Sequence, residues 1–179
     1  MKKWLNNVFG GKRMTALTAG TSAPDFTLPA MDGKQFSLKE ALARGPVVAA
    51  FFKISCPVCQ FTFPYLERIF KAYGNKDVTV VGISQNGRKD TASFIKEYGI
   101  TFPVLLDDTD TYPASNAYGL TNVPSIFWIS PEGRIENSSV GWNRKDFDEI
   151  NQKISELGGQ AAAQPVFLPG ESVPEFRAG

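Results

Sequence analysis

Residues 46–59 read PVVAAFFKISCPVC, an apolar stretch that ends in two cysteines three positions apart. The run from Pro46 to Phe52 contains no polar side chain, which is typical of a strand buried on both faces in a parallel sheet. Pro57 directly follows Cys56, and proline suits the first position of a helix because its missing N–H would have no partner there. The stretch therefore predicts a strand-to-helix junction with both cysteines at the start of the helix.

Cys56 and Cys59 are the only cysteines of the chain. An ordinary thiol, with a pKa of about 8.5, is mostly protonated at neutral pH. Unpaired backbone N–H groups and the helix dipole favour a thiolate at the helix start. Cys56 is thus the predicted exposed nucleophile, and Cys59, one turn later, the more buried thiol that resolves a mixed disulfide. The alternatives are a structural disulfide or two core thiols. A structural disulfide is the weaker interpretation, because so short a loop gains little from a crosslink in the entropy model.

The composition excludes several classes of protein. With 19 basic and 18 acidic side chains among 179 residues, the net charge is +1, and no nucleic-acid partner is implied. The chain contains no histidine, which removes Ser-His-Asp and Cys-His catalysis and zinc sites with histidine ligands. Two cysteines alone cannot complete a structural zinc site, so we expect no metal.

The two ends of the chain differ from its middle. Residues 1–22 predict a flexible basic leader, and polar residues interrupt the apolar stretch that a secretory signal needs. We expect no membrane contact by this leader and predict a cytoplasmic location. Residues 158–179 are rich in proline, glycine and alanine and predict a tail without a core of its own, which leaves a domain at residues 23–157.

Part of the tail repeats an earlier pattern. Residues 170–176 read GESVPEF and residues 20–26 read GTSAPDF. Chance explains so short a match as well as function does. If the match has a meaning, the tail could dock where the first segment docks.

Between the ends, strands alternate with helices. A hairpin turn is expected at Asp32-Gly33, and Ser37 with Glu40 forms the capping box of a short helix. Strands are predicted at 47–53, 77–84, 102–106, 125–130 and 134–140, and helices at 57–73, 88–98, 112–118 and, capped by Asn143, up to residue 157. This order predicts an α/β sandwich around a mixed sheet.

Three motifs lead to a known family. They are APDFTL at 23–28 before Asp32-Gly33, two phenylalanines before the cysteine motif with Pro64 after it, and Val123-Pro124 before SIFWI at 125–129. Over residues 20–155 the chain resembles the thioredoxin-like superfamily, in particular its redoxin branch of AhpC/TSA peroxiredoxins and TlpA/ResA-type thiol-disulfide oxidoreductases. The resemblance implies a three-layer sandwich with helices on both faces of the sheet, an N-terminal hairpin extension, and no metal or organic cofactor.

The resemblance also implies roles for particular residues. The bond between Val123 and Pro124 should be cis, with the Val123 backbone facing the Cys56 sulfur and pairing with an extended substrate strand. Pro57, Val123 and Pro124 are accordingly the predicted substrate contacts. The implied partners are proteins with disulfides or dithiols and a thiol system that supplies electrons.

The chain departs from the family pattern where a proton acceptor is expected. The buried Asp of thioredoxins is replaced by Ala50, and the Glu found in many TlpA/ResA-type proteins by Thr62. No carboxylate is therefore evident for deprotonating Cys59. Asp25 is one candidate. Lys53 is a candidate for stabilising a nearby thiolate electrostatically, with a plain exposed strand-end lysine as the alternative.

The sequence predicts a thiol-disulfide oxidoreductase and leaves two alternatives open. The first is a thiol peroxidase, whose motif would place the peroxide-attacking cysteine at Cys59, with Cys56 in place of its Thr and Phe52 in place of its Pro; a slower antioxidant activity is included here. The second is a non-catalytic interaction module, for which Cys56→Ser would leave the biology unchanged. The sequence indicates neither the direction of exchange nor the oligomeric state.

Overall fold

The structure is a computed structural model that describes residues 15–74, 76–160 and 162–179. Most of the predicted leader, residues 1–14, lies outside the described residues. No helix in the described ranges is both long and apolar enough to cross a membrane.

Strands and helices alternate along the chain as predicted, with short β-pairs at both ends. The elements are β1 (Thr27–Pro29), β2 (Gln35–Ser37), α1 (Leu38–Leu42), β3 (Val47–Phe52), α2 (Pro57–Tyr73), β4 (Thr79–Ser84), α3 (Arg88–Tyr98), β5 (Val104–Leu106), α4 (Pro113–Ala117), β6 (Ser125–Ile129), β7 (Ile135–Val140), β8 (Trp142–Asn143), α5 (Arg144–Leu157) and β9 (Phe176–Arg177). The two-residue strands β8 and β9 are the elements that the sequence did not indicate.

The central sheet has five strands in the order β5-β4-β3-β6-β7. β3 runs parallel to β4 and antiparallel to β6, so the sheet is mixed. Every residue of β3 is buried, because the strand lies mid-sheet and its alternate side chains enter two separate cores. Helices α2, α3 and α5 cover one face, and α1, α4 and the β1–β2 hairpin cover the other. The expected three-layer sandwich is confirmed.

Aromatic packing fixes α2 against the sheet. The Phe63 ring lies 4.3 Å from that of Phe52 on β3, 5.6 Å from that of Phe94 on α3 and 5.8 Å from that of Phe102, between ring centroids. Burying each such side chain stabilises the fold by about 1.5–3 kcal/mol. This cluster holds the helix that carries both cysteines.

A buried carboxylate makes a second link from α2. Glu67 accepts hydrogen bonds from the Thr101 N–H at 2.8 Å and the Phe102 N–H at 3.4 Å, and also from the Thr101 hydroxyl. These bonds satisfy a carboxylate that is 4% exposed, so its burial is compensated. The side chain ties α2 to the segment that leads into β5.

Ordered contacts extend beyond the predicted domain limits of 23 and 157, which stay predictions. The Leu17 N–H donates to the Tyr118 carbonyl at 3.1 Å, and the Gly20 N–H donates to the Ile135 carbonyl at 2.7 Å. At the other end, Val166 is buried and Phe176 pairs with Asn143 of β8. Both segments lie along surfaces of the sandwich.

The two similar heptapeptides dock on different faces. In the first, the Ala23 N–H donates to the Gly133 carbonyl and Phe26 packs in the core with Tyr118. In the second, Glu171 pairs with Arg68 of α2, and Val173 packs on the opposite core. The tail therefore docks at a different place from the first segment in this structure.

We expect Phe63→Ala to lower the free energy of unfolding by about 3–5 kcal/mol, because it leaves a cavity among three aromatic rings. Phe176→Ala is the matched control, since that ring is 59% exposed, and it should change stability by no more than about 0.5 kcal/mol. Denaturant titration of both variants measures the difference. Equal losses would contradict the role of the aromatic cluster.

Candidate active site

Cys56 is the N-cap residue of α2, with an extended backbone at φ −82° and ψ 114°. The Cys59 N–H points back to the Cys56 sulfur, with 3.3 Å between nitrogen and Sγ. The Gln60 N–H bonds to the Cys56 carbonyl at 3.0 Å and closes the first turn. Cys56 is half-buried, and its sulfur lies at the N-terminus of a 17-residue helix, the end that carries the positive partial charge of the helix dipole.

The second partner of Cys56 comes from a loop 67 positions away. The Cys56 thiol donates to the Val123 carbonyl, with 3.3 Å between sulfur and oxygen. The Val123–Pro124 bond is cis, as the resemblance implies. Pro124 is buried and Val123 half-buried. The structure therefore brings together Cys56 and Val123, while Pro57 is exposed beside them at the first position of α2.

Cys59 has a different environment. Its side chain has no exposed surface and belongs to the core that contains Ala50 and Phe63. Burial raises the pKa of the Cys59 thiol far above its ordinary value, and the neighbouring Cys56 raises that pKa further. Both cysteines are free thiols. The helix thus presents one accessible sulfur and keeps the other protonated behind it.

No carboxylate contributes to the shifted pKa of Cys59 among the residues that the structure describes. Besides burial and Cys56, which raise the pKa of Cys59, the backbones of Lys53 and of Cys59 itself lower it. The Thr62 hydroxyl is buried and has no hydrogen-bond partner in the described ranges. Asp25 lies instead near Tyr118. Burial is the main cause that raises the pKa of Tyr118, and the charge of Asp25 raises it further. The described chain also brings no three His, Cys, Asp or Glu side chains together as a metal site.

Lys53 is exposed at the end of β3. Its backbone carbonyl accepts from the Cys56 N–H at 3.3 Å. The side chain lines a polar cleft of about 210 Å³ that also includes Gln85, Asn122 and Val123. Lys53 is thus near the reactive loop, and its effect on a thiolate stays a prediction.

Two residues that sequence reasoning missed hold the loop between β3 and α2. The Asn86 side-chain oxygen accepts from the Ile54 N–H at 3.0 Å, and the Gln60 side-chain amide donates to the Ile54 carbonyl at 2.8 Å. Gln60 could have been suspected from its place on the first turn of α2. Asn86 carried no signal, because it follows another strand and reaches the loop only in the folded sheet.

Comparison with known proteins agrees with this geometry. The model of the AhpC/TSA family matches residues 19–138. The thiol-disulfide oxidoreductase ResA of Bacillus subtilis strain 168 is 34% identical over 137 residues, which cover 76% of this chain and 74% of that protein. The thioredoxin-like protein YneN of the same strain is 28% identical over 148 residues, covering 80% of this chain and 82% of YneN.

A solved structure shows the same fold. It is the crystal structure of the thioredoxin domain of a thiol-disulfide oxidoreductase from Bacteroides vulgatus, with a TM-score of 0.69 and 23% sequence identity. The similarity covers 78% of this chain and 99% of that one. It extends over most of the sandwich that positions Cys56.

The burial of Cys59 predicts a specific pH dependence of stability. In the unfolded chain its thiol ionises near the ordinary pKa of about 8.5, whereas in the folded chain burial keeps it protonated to higher pH. The stabilising contribution is therefore complete well below that pKa and is lost as the pH rises through and above it, by up to about 1.4 kcal/mol for each pH unit. Denaturant titrations of the reduced protein between pH 8 and 10 measure this slope.

Cys59→Ala is the control for this experiment. It removes the titrating group, so its stability should fall less steeply above pH 9 even though the variant is less stable throughout. Parallel curves for the two proteins would show that Cys59 ionises as easily when folded as when unfolded.

Proposed function

This chain belongs to the AhpC/TSA family and is a thiol-disulfide oxidoreductase, and we propose that Cys56 and Cys59 carry the exchange. The observation that supports this assignment is the contrast between the two thiols. Cys56 lies half-buried at a helix N-terminus, within reach of the Cys59 N–H, and Cys59 is fully buried one turn later. Cys56 is therefore the thiol that a substrate can reach. Cys59 is placed to react with the Cys56 sulfur and not with a substrate.

The reaction then has two balanced steps. The Cys56 thiolate attacks one sulfur of a substrate disulfide, a mixed disulfide forms, and the other substrate sulfur leaves as a thiolate. Cys59 next attacks the Cys56 sulfur and gives its proton to the departing substrate sulfur. The products are the Cys56–Cys59 disulfide and a substrate dithiol reduced by two electrons. The reverse sequence oxidises a substrate dithiol.

Protein substrates fit the surroundings of Cys56. The Cys56 thiol donates to the Val123 carbonyl, and the next residue, Pro57, is exposed. We propose that an extended substrate chain lies across Val123 and Pro124 while its disulfide approaches Cys56. A further thiol protein would then reduce the Cys56–Cys59 disulfide. The cytoplasmic location predicted from the sequence stays a prediction that cell fractionation would check.

Peroxide reduction is disfavoured by the burial of Cys59. The peroxidase alternative needs Cys59 as an ionised, accessible nucleophile. The fold buries that thiol and raises its pKa, and a protonated thiol reacts poorly. We accordingly propose an antioxidant role only through the reduction of disulfides in other proteins, and not through the reduction of peroxide.

We expect Cys59→Ser to accumulate a mixed disulfide with a protein such as insulin, because Cys56 still attacks but nothing resolves the product. Cys56→Ser should form none. Mass spectrometry after acid quenching measures the adduct. Adduct formation by Cys56→Ser would reject the assignment of the attacking thiol. Absence of an adduct in both variants would favour the non-catalytic alternative.

The reduced protein should react with hydrogen peroxide no faster than an ordinary low-molecular-weight thiol, because Cys59, the cysteine that the peroxidase alternative needs, is buried and protonated. Stopped-flow Trp fluorescence gives the second-order rate, with the Cys56→Ser and Cys59→Ser variants as controls. A rate several orders of magnitude higher, abolished in Cys59→Ser, would restore the peroxidase alternative.

A further inference from the structure

The last part of the chain, residues 162–179, crosses α2 and α5 as an extended segment that we call the strap. Its first contacts lie far from the cysteines. The Gln164 N–H donates to the Tyr73 hydroxyl at 2.7 Å, and the Asn151 side-chain amide donates to the Gln164 carbonyl at 2.8 Å. Val166 is 4% exposed. The strap is thus attached at its beginning by both polar and apolar contacts.

The middle of the strap is anchored by one bidentate ion pair. The Arg68 guanidinium donates to the two carboxylate oxygens of Glu171 at 2.8 and 2.7 Å, a geometry that is stronger than a single contact. The Leu168 N–H donates to the same carboxylate. The Arg68 hydrogen bonds lower the pKa of Glu171 to about 2, so the pair is charged at neutral pH.

The end of the strap adds a strand at the active-site end of the molecule. Arg177 of β9 pairs with Trp142 of β8, and the Trp142 indole N–H donates to the Pro174 carbonyl at 2.7 Å. The Arg177 guanidinium lies 4.2 Å from the centre of the Phe61 ring. Phe61 belongs to the second turn of α2 and follows Cys59 by two residues, so the strap reaches the reactive end of that helix.

Gly179 touches the loop that receives the Cys56 thiol. The Asn122 side-chain amide donates to the Gly179 carbonyl at 3.0 Å. A Cβ atom at residue 179 would overlap the Val123 carbonyl oxygen, and one at Gly141 would overlap the Arg177 carbonyl oxygen. The close approach therefore depends on glycine at both positions. The Val123 carbonyl is also the acceptor of the Cys56 thiol.

The strap therefore occupies space that a protein substrate needs. In-line attack brings a substrate sulfur to about 3–3.5 Å from Cys56 Sγ before reaction, which places the attached chain against Val123. A small disulfide has no such chain, whereas a protein disulfide carries one on each side. With Gly179 docked on Val123, an extended chain has to displace the end of the strap.

The end of the strap is suited to displacement. β9 comprises only two residues, and Phe176 is 59% exposed. The side chain of its neighbour Glu175 is 82% exposed and makes one 3.5 Å contact with Arg144, whose backbone N–H also donates to the Glu175 carbonyl at 2.9 Å. Short, exposed pairings of this kind open at low free energy. The Arg68–Glu171 pair would keep the rest of the strap in place while the end moves.

We propose that residues 176–179 determine substrate specificity by covering one side of Cys56: docked, they admit small disulfides and hinder the extended chain of a protein. This inference rests on the proposed function of Cys56, which the same experiment examines separately. Residues 176–179 act by excluding substrate and take no part in the chemistry.

The test compares two disulfides in the full-length reduced protein. The second-order rates with insulin and with 5,5′-dithiobis(2-nitrobenzoate) are measured in wild type, Gly179→Val and Glu171→Gln. Gly179→Val forces the end of the strap off Val123, and Glu171→Gln weakens the anchor. Each should raise the ratio of the insulin rate to the small-disulfide rate, by about tenfold for Gly179→Val, since one or two hydrogen bonds no longer hold the end.

Glu175→Gln is the matched control, because it makes the same chemical change at an exposed carboxylate with one long contact, and it should leave the ratio unchanged. A second readout follows the strap directly. In Cys59→Ser protein trapped on a cysteine peptide, the amide of Arg177 should lose its protection from hydrogen exchange, and it should keep that protection when the trapped thiol is a small molecule.

An unchanged ratio in both strap variants would overturn the proposal, and so would a lower ratio, which would mean that the strap helps to bind substrate. If wild type reacts with neither disulfide through Cys56, as Cys56→Ser would reveal, the proposed function itself fails. Normal reaction with an unchanged ratio would reject the strap alone.

Discussion

The meeting of one sulfur atom with the N-terminus of α2 is the constraint on which the rest of the structure depends. Cys56 has to keep its side chain against the backbone N–H groups of the helix and also reach the Val123 carbonyl. The first condition is local, but the second requires β3 and β6 to be neighbours in the sheet. The aromatic cluster around Phe63 and the buried Glu67 hold α2 in the position where both conditions are met.

The same placement makes the two thiols unequal. A cysteine at the N-cap has one side open to solvent, whereas a cysteine three residues later points into the core beneath the helix. Desolvation then keeps Cys59 protonated, so the order of reaction follows from geometry instead of from any special side chain. The chain achieves this without a carboxylate beside Cys59 in the described structure, since Ala50 and Thr62 occupy the two positions where the family pattern has one.

The strap is a segment that covers one side of the site without contributing chemistry. Its composition is poor in core-forming residues, yet it docks on the sandwich. Arg68 of α2 pairs with Glu171, and β8, which directly precedes α5, pairs with β9. These contacts lead its last residue to Val123. The surface beside Cys56 is consequently built by three segments that are distant in sequence.

The sequence by itself determined the features that depend on near neighbours. The apolar run before Cys56 specified a buried strand, Pro57 started a helix at the next position, and Ser37 and Asn143 capped helices where expected. These signals are local, because strand burial, helix starts and turns depend on residues a few positions apart.

Only the tertiary structure decided which distant groups meet. The family resemblance implied the contact between residues 56 and 123, which are 67 positions apart. Nothing in the sequence implied the contact between residues 68 and 171, which are 103 positions apart. No spacing pattern in the sequence predicts that Asn86 contacts the reactive loop or that Gly179 contacts Val123. Such pairs form because the sheet and helices bring their backbones together, so the chemistry of the cysteines could be read from the chain, whereas the shape of the surface around them could not.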